Sequence, residues 1–164
     1  MMTKNDSTRS QATRVLALKV PPLALTALAA ALMYGLPGWV EFPRSGAWHG
    51  ILCAVVLATG LAICFAGVGA FRQSRTTVDP RTPDAASSLV VGGIYRVTRN
   101  PMYLGFLMVL LALALYLGKL TAFVVLPLFV VYLNEFQIKP EESALRARFG
   151  SAFDSYVSRV RRWL

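Results

Sequence analysis

Long apolar runs alternate with short polar segments along this chain. The clearest run covers residues 47–71 and contains no Asp, Glu, Lys or Arg. An α-helix needs roughly 20 residues to cross about 30 Å of hydrocarbon. The run is long enough to span a bilayer, and it is the firmest element that the pattern predicts.

Three further apolar runs cover residues 20–40, 101–118 and 120–136. Gly35 and Pro37 offer an earlier end to the first of these helices. Gly118 and Lys119 form the only break between the last two runs, which predicts an antiparallel helical hairpin. The pattern therefore indicates an all-α, polytopic membrane protein with about four transmembrane helices. Basic residues and small side chains near the first run also suit a signal peptide, but the later runs favour a retained anchor.

A charged segment at residues 140–163 follows the last run. Its large apolar residues share one face when the segment is projected as a helix: Leu145, Phe149, Phe153, Tyr156, Val160 and Trp163. This pattern predicts an amphipathic helix, with Gly150 as a point of interruption. Such a helix can lie against a membrane surface or close over one end of the spans.

Composition and charge agree with a membrane location. Hydrophobic residues make up 55% of the chain and charged residues 15%, which is more apolar surface than one soluble core of this size needs. The net charge of +9 could indicate a nucleic-acid partner. However, the segments between the apolar runs are alternately rich and poor in Lys and Arg. The positive-inside rule then places both termini and the long loop at residues 72–100 in the cytoplasm. In a bacterium this membrane is the inner membrane.

The chain has no internal repeat and is predicted to form a single domain over residues 1–164, with residues 1–13 as a flexible polar tail. Loops as long as residues 72–100 are usually functional or disordered in so small a protein. No metal site is predicted, because the chain contains a single His and two Cys that both lie in an apolar run.

Two polar motifs flank the predicted hairpin. The first is GGIYRVTRNPMYLG at residues 92–105, and the second is EESALRARFG at residues 141–150, followed by Tyr156. Each has a plain structural interpretation as a glycine turn, positive-inside arginines, interfacial tyrosines and acids in a first helical turn. Taken alone, the motifs do not decide between structure and chemistry.

Together, the two motifs resemble the isoprenylcysteine carboxyl methyltransferase and phospholipid methyltransferase family of integral membrane enzymes, in its bacterial form. The resemblance covers about half of the chain, from Thr76 to Trp163. It implies an S-adenosylmethionine-dependent methyltransferase that acts on a lipophilic acceptor taken from the bilayer. It implies membrane lipids as surroundings and gives no indication of a nucleic-acid or protein partner.

The resemblance also implies the site residues. The cofactor-binding residues carried over by position are Ser87, Ser88, Leu89, Val90, Tyr95, Asn100, Pro101, Met102, Tyr103 and Glu141. Arg99 and Glu142 are the implied catalytic residues, with Arg99 as a partner for the cofactor carboxylate. Gln137 and Arg96 are the implied substrate-binding residues. The mixture of acids, cations and tyrosines suits a cofactor with a sulfonium, an ammonium and a carboxylate.

Two positions depart from the family pattern. Asn100 stands where many members have His, and Gln137 stands where the prenylcysteine enzymes have an Arg that binds the substrate carboxylate. The missing charge argues against a carboxylate acceptor unless Arg96 or Lys139 substitutes for it. An amino-lipid N-methyltransferase is the nearest alternative. A non-catalytic membrane protein that retains the fold, such as a small transporter or an assembly factor, is the other. A transporter would be expected to have charged groups near the middle of its spans, whereas the charges here lie at the ends.

Overall fold

The computed structural model describes residues 20–44, 46–74 and 88–164. The predicted flexible tail at residues 1–13 and the predicted cofactor residue Ser87 lie outside the described residues. The described part of the chain is helical with short connections, as the all-α prediction requires. A lone antiparallel bridge between Glu41 and Lys119 is its one β-type pairing among the described residues.

Four apolar helices precede two charged ones. The apolar helices are α1 (Pro22–Gly35), α2 (Ala47–Gln73), α3 (Pro101–Leu117) and α4 (Leu120–Leu133). A π-helical segment, Asn134–Ile138, continues α4 directly into α5 (Lys139–Phe149), and α6 (Ser151–Val157) follows. A short 3₁₀ turn, Gly93–Arg96, precedes α3.

Two helices are long and apolar enough to cross a membrane: α2, and the continuous helix Leu120–Phe149. The helices α1 and α3 are apolar but shorter, with 14 and 17 residues. The first run was predicted to be helical over about residues 20–40, with an earlier end near Gly35 and Pro37 as the alternative, and the structure has the earlier end. Leu36 adopts an extended conformation with ψ 140°, because a residue that precedes proline is disfavoured in the α region. Pro37 therefore ends α1 early.

The helices α2 and α3 are in close contact along glycines. A Cβ atom built on Gly60 would lie 2.9 Å from the carbonyl oxygen of Gly105, and one built on Gly67 would lie 3.0 Å from Cγ of Met102. Only residues without side chains allow the two backbones to approach so closely. Apart from Gly60 and Gly67, the residues of α2 are exposed or half-buried.

The main core lies between α1, α3 and α4. Its fully buried side chains include Met33, Leu110 and Leu133. The outward faces of the same helices carry large exposed apolar residues, such as Leu23 at 68% exposure and Leu128 at 63%. An apolar exterior around an apolar interior is expected of helices that are solvated by lipid.

The loop between α1 and α2 contacts the α3–α4 turn at one end of the bundle, here called the opposite end. Phe42 N–H donates to the carbonyl of Gly118 at 2.9 Å, and Leu120 N–H donates to that of Val40 at 2.9 Å. Arg44 Nη1 donates to the carbonyl of Leu117 at 2.9 Å and so satisfies the C-terminus of α3. The loop after α1 is thus fastened to the turn after α3.

The predicted amphipathic helix at residues 140–163 is present but divided. Gly150 has φ 51°, a left-handed conformation that side chains disfavour, and it separates α5 from α6. The residues after Val157 are not helical. Phe153, Tyr156 and Val160 pack with Tyr95 and Val90 in a second apolar cluster, so the segment closes over one end of the bundle.

Candidate active site

The end of the bundle that carries Asn100, Asn134 and α5 is called the polar end. Asn100 is the residue before α3, and Pro101 takes the first helical position, where its missing N–H is not needed. Because α3 and α4 are antiparallel, the first turn of α3 and the residues that follow α4 lie at the same end. This arrangement brings the two polar motifs of the sequence together.

Tyr103 and Glu141 form the first contact between the motifs. The hydroxyl of Tyr103 donates to Glu141 Oε2 at 3.2 Å. Burial raises the pKa of Glu141 to about 7, with the hydrogen bond from Tyr103 acting in the opposite direction and the charge of Glu142 adding to the rise. Glu141 can therefore change its protonation state near neutral pH, which is the property that a proton-accepting or cation-binding group in an active site needs.

Tyr95 lies on the same side of the site. It is buried, and its ring meets that of Phe71 edge-on at 5.4 Å between centroids. Burial raises its pKa, and the nearby negative charge of Glu141 raises it further. The backbone carbonyl of Tyr95 accepts a hydrogen bond of 2.7 Å from the hydroxyl of Tyr156, whose pKa is also raised by burial. Tyr95 and Tyr103, the two tyrosines among the predicted cofactor residues, thus both lie near Glu141.

Glu142 is bound by two arginines. Its Oε1 lies 2.9 Å from Arg99 Nη2, and its Oε2 lies 2.6 Å from Arg162 Nη2. Arg162 Nε also donates to Oε1 at 3.1 Å, so that Arg162 grips both carboxylate oxygens. The side chains of Arg99 and Glu142 are only 10% and 15% exposed, which makes this a largely desolvated cluster. Two guanidinium groups against one carboxylate leave an excess of one positive charge.

The C-terminal residues Val160–Trp163, called the C-terminal strap, cross the first motif. The carbonyl of Arg161 accepts the backbone N–H of Arg99 at 3.0 Å. The carbonyl of Arg162 accepts the side-chain amide of Asn100 at 2.9 Å and the hydroxyl of Thr98 at 3.3 Å. Trp163 Nε1 donates to Asn134 Oδ1 at 3.2 Å. The strap therefore contacts both motifs and the π-helical segment.

The other predicted cofactor residues are placed around this centre. The hydroxyl of Ser88 donates a hydrogen bond of 3.2 Å to the carbonyl of Ser74, the residue that follows α2. Leu89 and Val90 pack in the second apolar cluster. Pro101 and Met102 direct side-chain atoms at Gly67 of α2, so these two side chains help to seat α3. Their contact with a cofactor stays a prediction.

The two predicted substrate residues differ in their surroundings. Gln137 is completely buried, and its Nε2 donates to the carbonyl of Val20 at 2.7 Å. Within the described part of the chain, Gln137 Oε1 is buried without a hydrogen-bond partner. Arg96 ends the 3₁₀ turn and is exposed. Gln137 is thus placed inside the bundle, whereas Arg96 faces its surface.

An apolar groove opens between α1 and α4, close to Gln137. It has a volume of about 330 Å³ and is lined by Leu25, Leu28, Ala29, Leu32, Leu36, Val125, Leu128, Phe129 and Tyr132. Phe129, Leu133 and Gln137 follow one another at intervals of four residues along the same helix. Gln137 itself does not line the groove: it follows Tyr132, the last lining residue of this helix, by five residues toward the polar end and lies within the π-helical segment.

Sequence reasoning missed two features of the site. Arg162 was read only as one of several basic residues after the last span, and the π-helical segment Asn134–Ile138 was not predicted. One signal was present: the polar pair Asn134 and Glu135 interrupts an apolar helix, and π-helical turns occur often at functional sites. Among the described residues, no cluster of three His, Cys, Asp or Glu side chains could hold a metal ion.

Comparisons with known proteins show the family to which the chain belongs. An uncharacterised protein of Haemophilus influenzae is 43% identical to this chain over 63 residues, which are 38% of this chain and 100% of that protein. No solved structure matches the chain. The sequence profile of a family described as phospholipid methyltransferase matches residues 48–152, which contain α2, α3, α4 and most of both motifs. The resemblance drawn from the two motifs is confirmed, and the chain belongs to this family of membrane methyltransferases.

Proposed function

We propose that this protein is an S-adenosylmethionine-dependent methyltransferase that methylates a lipophilic acceptor within the bilayer. The observation that carries the proposal is the meeting of Tyr103 and Glu141 with the Arg99–Glu142–Arg162 cluster at the polar end of an apolar bundle. The family supports methyl transfer, and the geometry supports a single site built from both motifs.

The donor set fits this cofactor. Glu141, with its pKa about 7, and the tyrosines beside it suit a sulfonium and an ammonium. Within the described residues, Arg99 Nε is buried and has no hydrogen-bond partner, although both Nη atoms of Arg99 are engaged. A buried guanidinium donor without a partner is costly, and a carboxylate is its natural ligand. Arg99 is therefore the residue that we assign to the cofactor carboxylate.

The cofactor supplies a methyl group that is already activated on a sulfonium, so the protein's task is to orient the reactants and exclude water. Glu142, held by two arginines, fixes Arg99 in place. Glu141 can take up a proton at Oε2 as an O–H or N–H acceptor loses one. The roles of Arg99 and Glu142 are thus binding and orientation.

The acceptor reaches the site through the groove between α1 and α4. The groove is lined by apolar side chains along its length and opens on the face that lipid would contact. Gln137 comes five residues after Tyr132, on the polar-end side of the groove. Its side-chain carbonyl oxygen has no partner among the described residues and can accept a hydrogen bond from a hydroxyl or an amine. This supports a neutral or cationic acceptor head group in preference to a carboxylate.

In this proposal the chain is a multi-pass protein of the bacterial inner membrane, with α1–α4 as four spans and both termini in the cytoplasm. The alternation of basic residues between loops supports this orientation. The shorter helices α1 and α3 can be accommodated by local thinning of the bilayer. The polar end then faces the cytoplasm, from which the soluble cofactor arrives.

A phospholipid or amino-lipid N-methyltransferase is the second candidate. The family description favours it, and so does the absence of a cation at Gln137. In that case Glu141 and the tyrosines face the cationic head group of the acceptor. A panel of phospholipid amines, hydroxylated lipids and prenylated thiols, each offered with labelled cofactor, separates the two candidates by which product carries the methyl group.

Calorimetric titration of the detergent-purified protein with S-adenosylmethionine, and with its demethylated product, tests the proposal. We expect saturable binding of both. Because Glu141 becomes charged as the pH rises through about 7, affinity for the sulfonium form should increase up to about tenfold between pH 6 and pH 8. The product lacks the sulfonium charge and should show a smaller change.

Glu141→Gln should remove this pH dependence and weaken binding of the cofactor. Glu135→Gln is the matched control, since Glu135 belongs to the same continuous helix, is about half exposed and pairs with Lys139. Absence of saturable binding by the folded wild-type protein would reject the proposed function. A pH dependence that survives in Glu141→Gln would reject the role of Glu141 alone.

A further inference from the structure

We propose that the C-terminal strap, Val160–Trp163, is a wall of the cofactor site and that Arg162 is its positioning residue. The inference rests on the proposed function. The match to the family profile ends at residue 152 and does not include the strap. The argument therefore depends on the contacts of this chain.

The backbone of the strap holds the first motif. Three consecutive residues of that motif, Thr98, Arg99 and Asn100, donate hydrogen bonds to the carbonyls of Arg161 and Arg162. Asn100 is the residue before α3, and its side-chain amide is bound to the strap at 2.9 Å. The strap thus determines the position of the first residues of α3 relative to α5.

The side chain of Arg162 fixes the orientation of Glu142. Its Nε and Nη2 contact the two carboxylate oxygens at 3.1 Å and 2.6 Å, whereas Arg99 contacts Oε1 alone. A two-point contact by a planar guanidinium sets the plane of the carboxylate, which a single contact does not. Arg162 therefore determines the direction in which Glu142 holds Arg99.

Arg99 transmits this effect to the cofactor. Its Nη2 is bound to Glu142, and its Nη1 donates to the carbonyl of Val157 at 3.4 Å. These two anchors leave Nε as its free buried donor. Loss of the Arg162 contact would release Oε2 of Glu142 and allow the guanidinium of Arg99 to rotate. This rotation would move Arg99 Nε, the buried donor that we assign to the cofactor carboxylate.

The experiment compares Arg162→Ala, Arg162→Lys and Arg159→Ala by calorimetric titration with the demethylated cofactor product, alongside thermal melting in the same detergent. Arg159→Ala removes the same charge from an exposed residue whose Nε donates to the carbonyl of Ser155. We expect Arg162→Ala to weaken binding about tenfold. Arg162→Lys should give an intermediate loss, and Arg159→Ala should bind as the wild type does.

A merely structural role gives a different pattern. Affinity would then follow the melting temperature across the variants, and Lys, which retains the charge, would restore both equally. In our proposal Lys restores the melting temperature but only part of the affinity, because an ammonium cannot make the planar two-point contact. The double variant Arg162→Ala with Glu142→Ala should lose less affinity than the sum of the single losses.

The outcomes are distinguishable. Wild-type binding combined with unchanged affinity in a folded Arg162→Ala protein overturns this inference and leaves the proposed function in place. So does affinity that changes in step with melting temperature in every variant. Absence of binding by the folded wild-type protein overturns the proposed function and this inference with it.

Discussion

The two helix pairs α2–α3 and α1–α4 are built from similarly apolar sequences but pack differently. Gly60, Gly67 and Gly105 allow α2 and α3 to approach until backbone atoms touch. Leucines and Phe129 occupy the corresponding positions between α1 and α4, where a groove of about 330 Å³ remains. Hydropathy alone does not distinguish the two pairs. The size of the facing side chains decides whether two membrane helices close together or leave space for a ligand.

Gly60→Leu should disrupt the close packing of α2 against α3 and has the largest expected effect. A side chain at this position would collide with the carbonyl oxygen of Gly105 and with Cβ of Met108. These atoms belong to the backbone of α3 or are attached to it directly, so they cannot move away without shifting the helix. We expect a loss of about 3 kcal/mol in stability. The measurement is the melting temperature of the purified protein in detergent.

Gly69→Leu is the matched control for that experiment. Gly69 belongs to the same helix, and no atom lies within 4 Å of a Cβ built there. The control should melt within a few degrees of the wild type. Equal losses in the two variants would show that helix propensity and detergent binding, and not the contact with α3, determine the stability of this pair.

Leu128→Trp should fill the groove between α1 and α4 without disrupting the packing of the two helices. Leu128 lines the groove and is 63% exposed, so a larger side chain can enter the space without displacing the core. We expect the KM for a long-chain acceptor to rise about tenfold while the affinity for the cofactor stays the same, since the loss falls on acceptor binding alone. Initial rates over a range of acceptor concentrations give the comparison.

Val124→Trp provides the control, because Val124 is 57% exposed on the same helix and is not part of the groove lining. Its KM should remain at the wild-type value. A rise of equal size in both variants would assign the effect to the lipid-facing surface of α4 and would remove the groove as the route of the acceptor.

Gln137→Arg tests whether the polar-end side of the α1–α4 groove binds the acceptor head group, and it has the smallest expected effect. A guanidinium there should improve the use of carboxylate-bearing acceptors about fivefold, because it can bind a carboxylate at two points. Its benefit is reduced by the cost of burying a charge at a position with no solvent exposure. The measurement is kcat/KM across charged and uncharged acceptors.

Gln137→Met is the control for this series, since it keeps the apolar volume and removes both polar atoms. It should reduce the use of hydroxyl and amine acceptors and leave carboxylate acceptors as poor as before. If neither variant changes the order of preference among acceptors, Gln137 does not face the acceptor head group.

Much of the helical framework could be predicted from sequence because hydropathy acts over long windows. The bounds of α2 and α3 differ from the predicted runs by no more than two residues. Hydropathy extends the first run to residue 40, whereas α1 ends at Gly35, the alternative that the local glycine and proline offered, because the proline after Leu36 stops the helix.

The site was predictable in part for a similar reason. Tyr103 and Glu141 lie in motifs that the family resemblance brings together, and the structure joins them. The pairing of Glu142 with Arg162 depends on how the chain turns after α6, which no periodicity encodes. The polar pair Asn134 and Glu135 marks the position of the π-helical segment but not its geometry, since one additional residue in a turn changes the direction of side chains such as Gln137 without changing the order of polar and apolar residues.

The way in which α1 and α2 contact the remainder of the bundle has a consequence for biosynthesis. Although they follow one another in the chain, α1 packs on α3 and α4, and α2 packs on α3. The loop between them is fastened by hydrogen bonds to Gly118 and Leu120, which are synthesised much later. As the nascent chain enters the membrane, its first two helices must wait as separate segments until α3 arrives between them. A chain interrupted before α3 would leave two unassembled helices for quality-control proteases, and not a smaller stable protein.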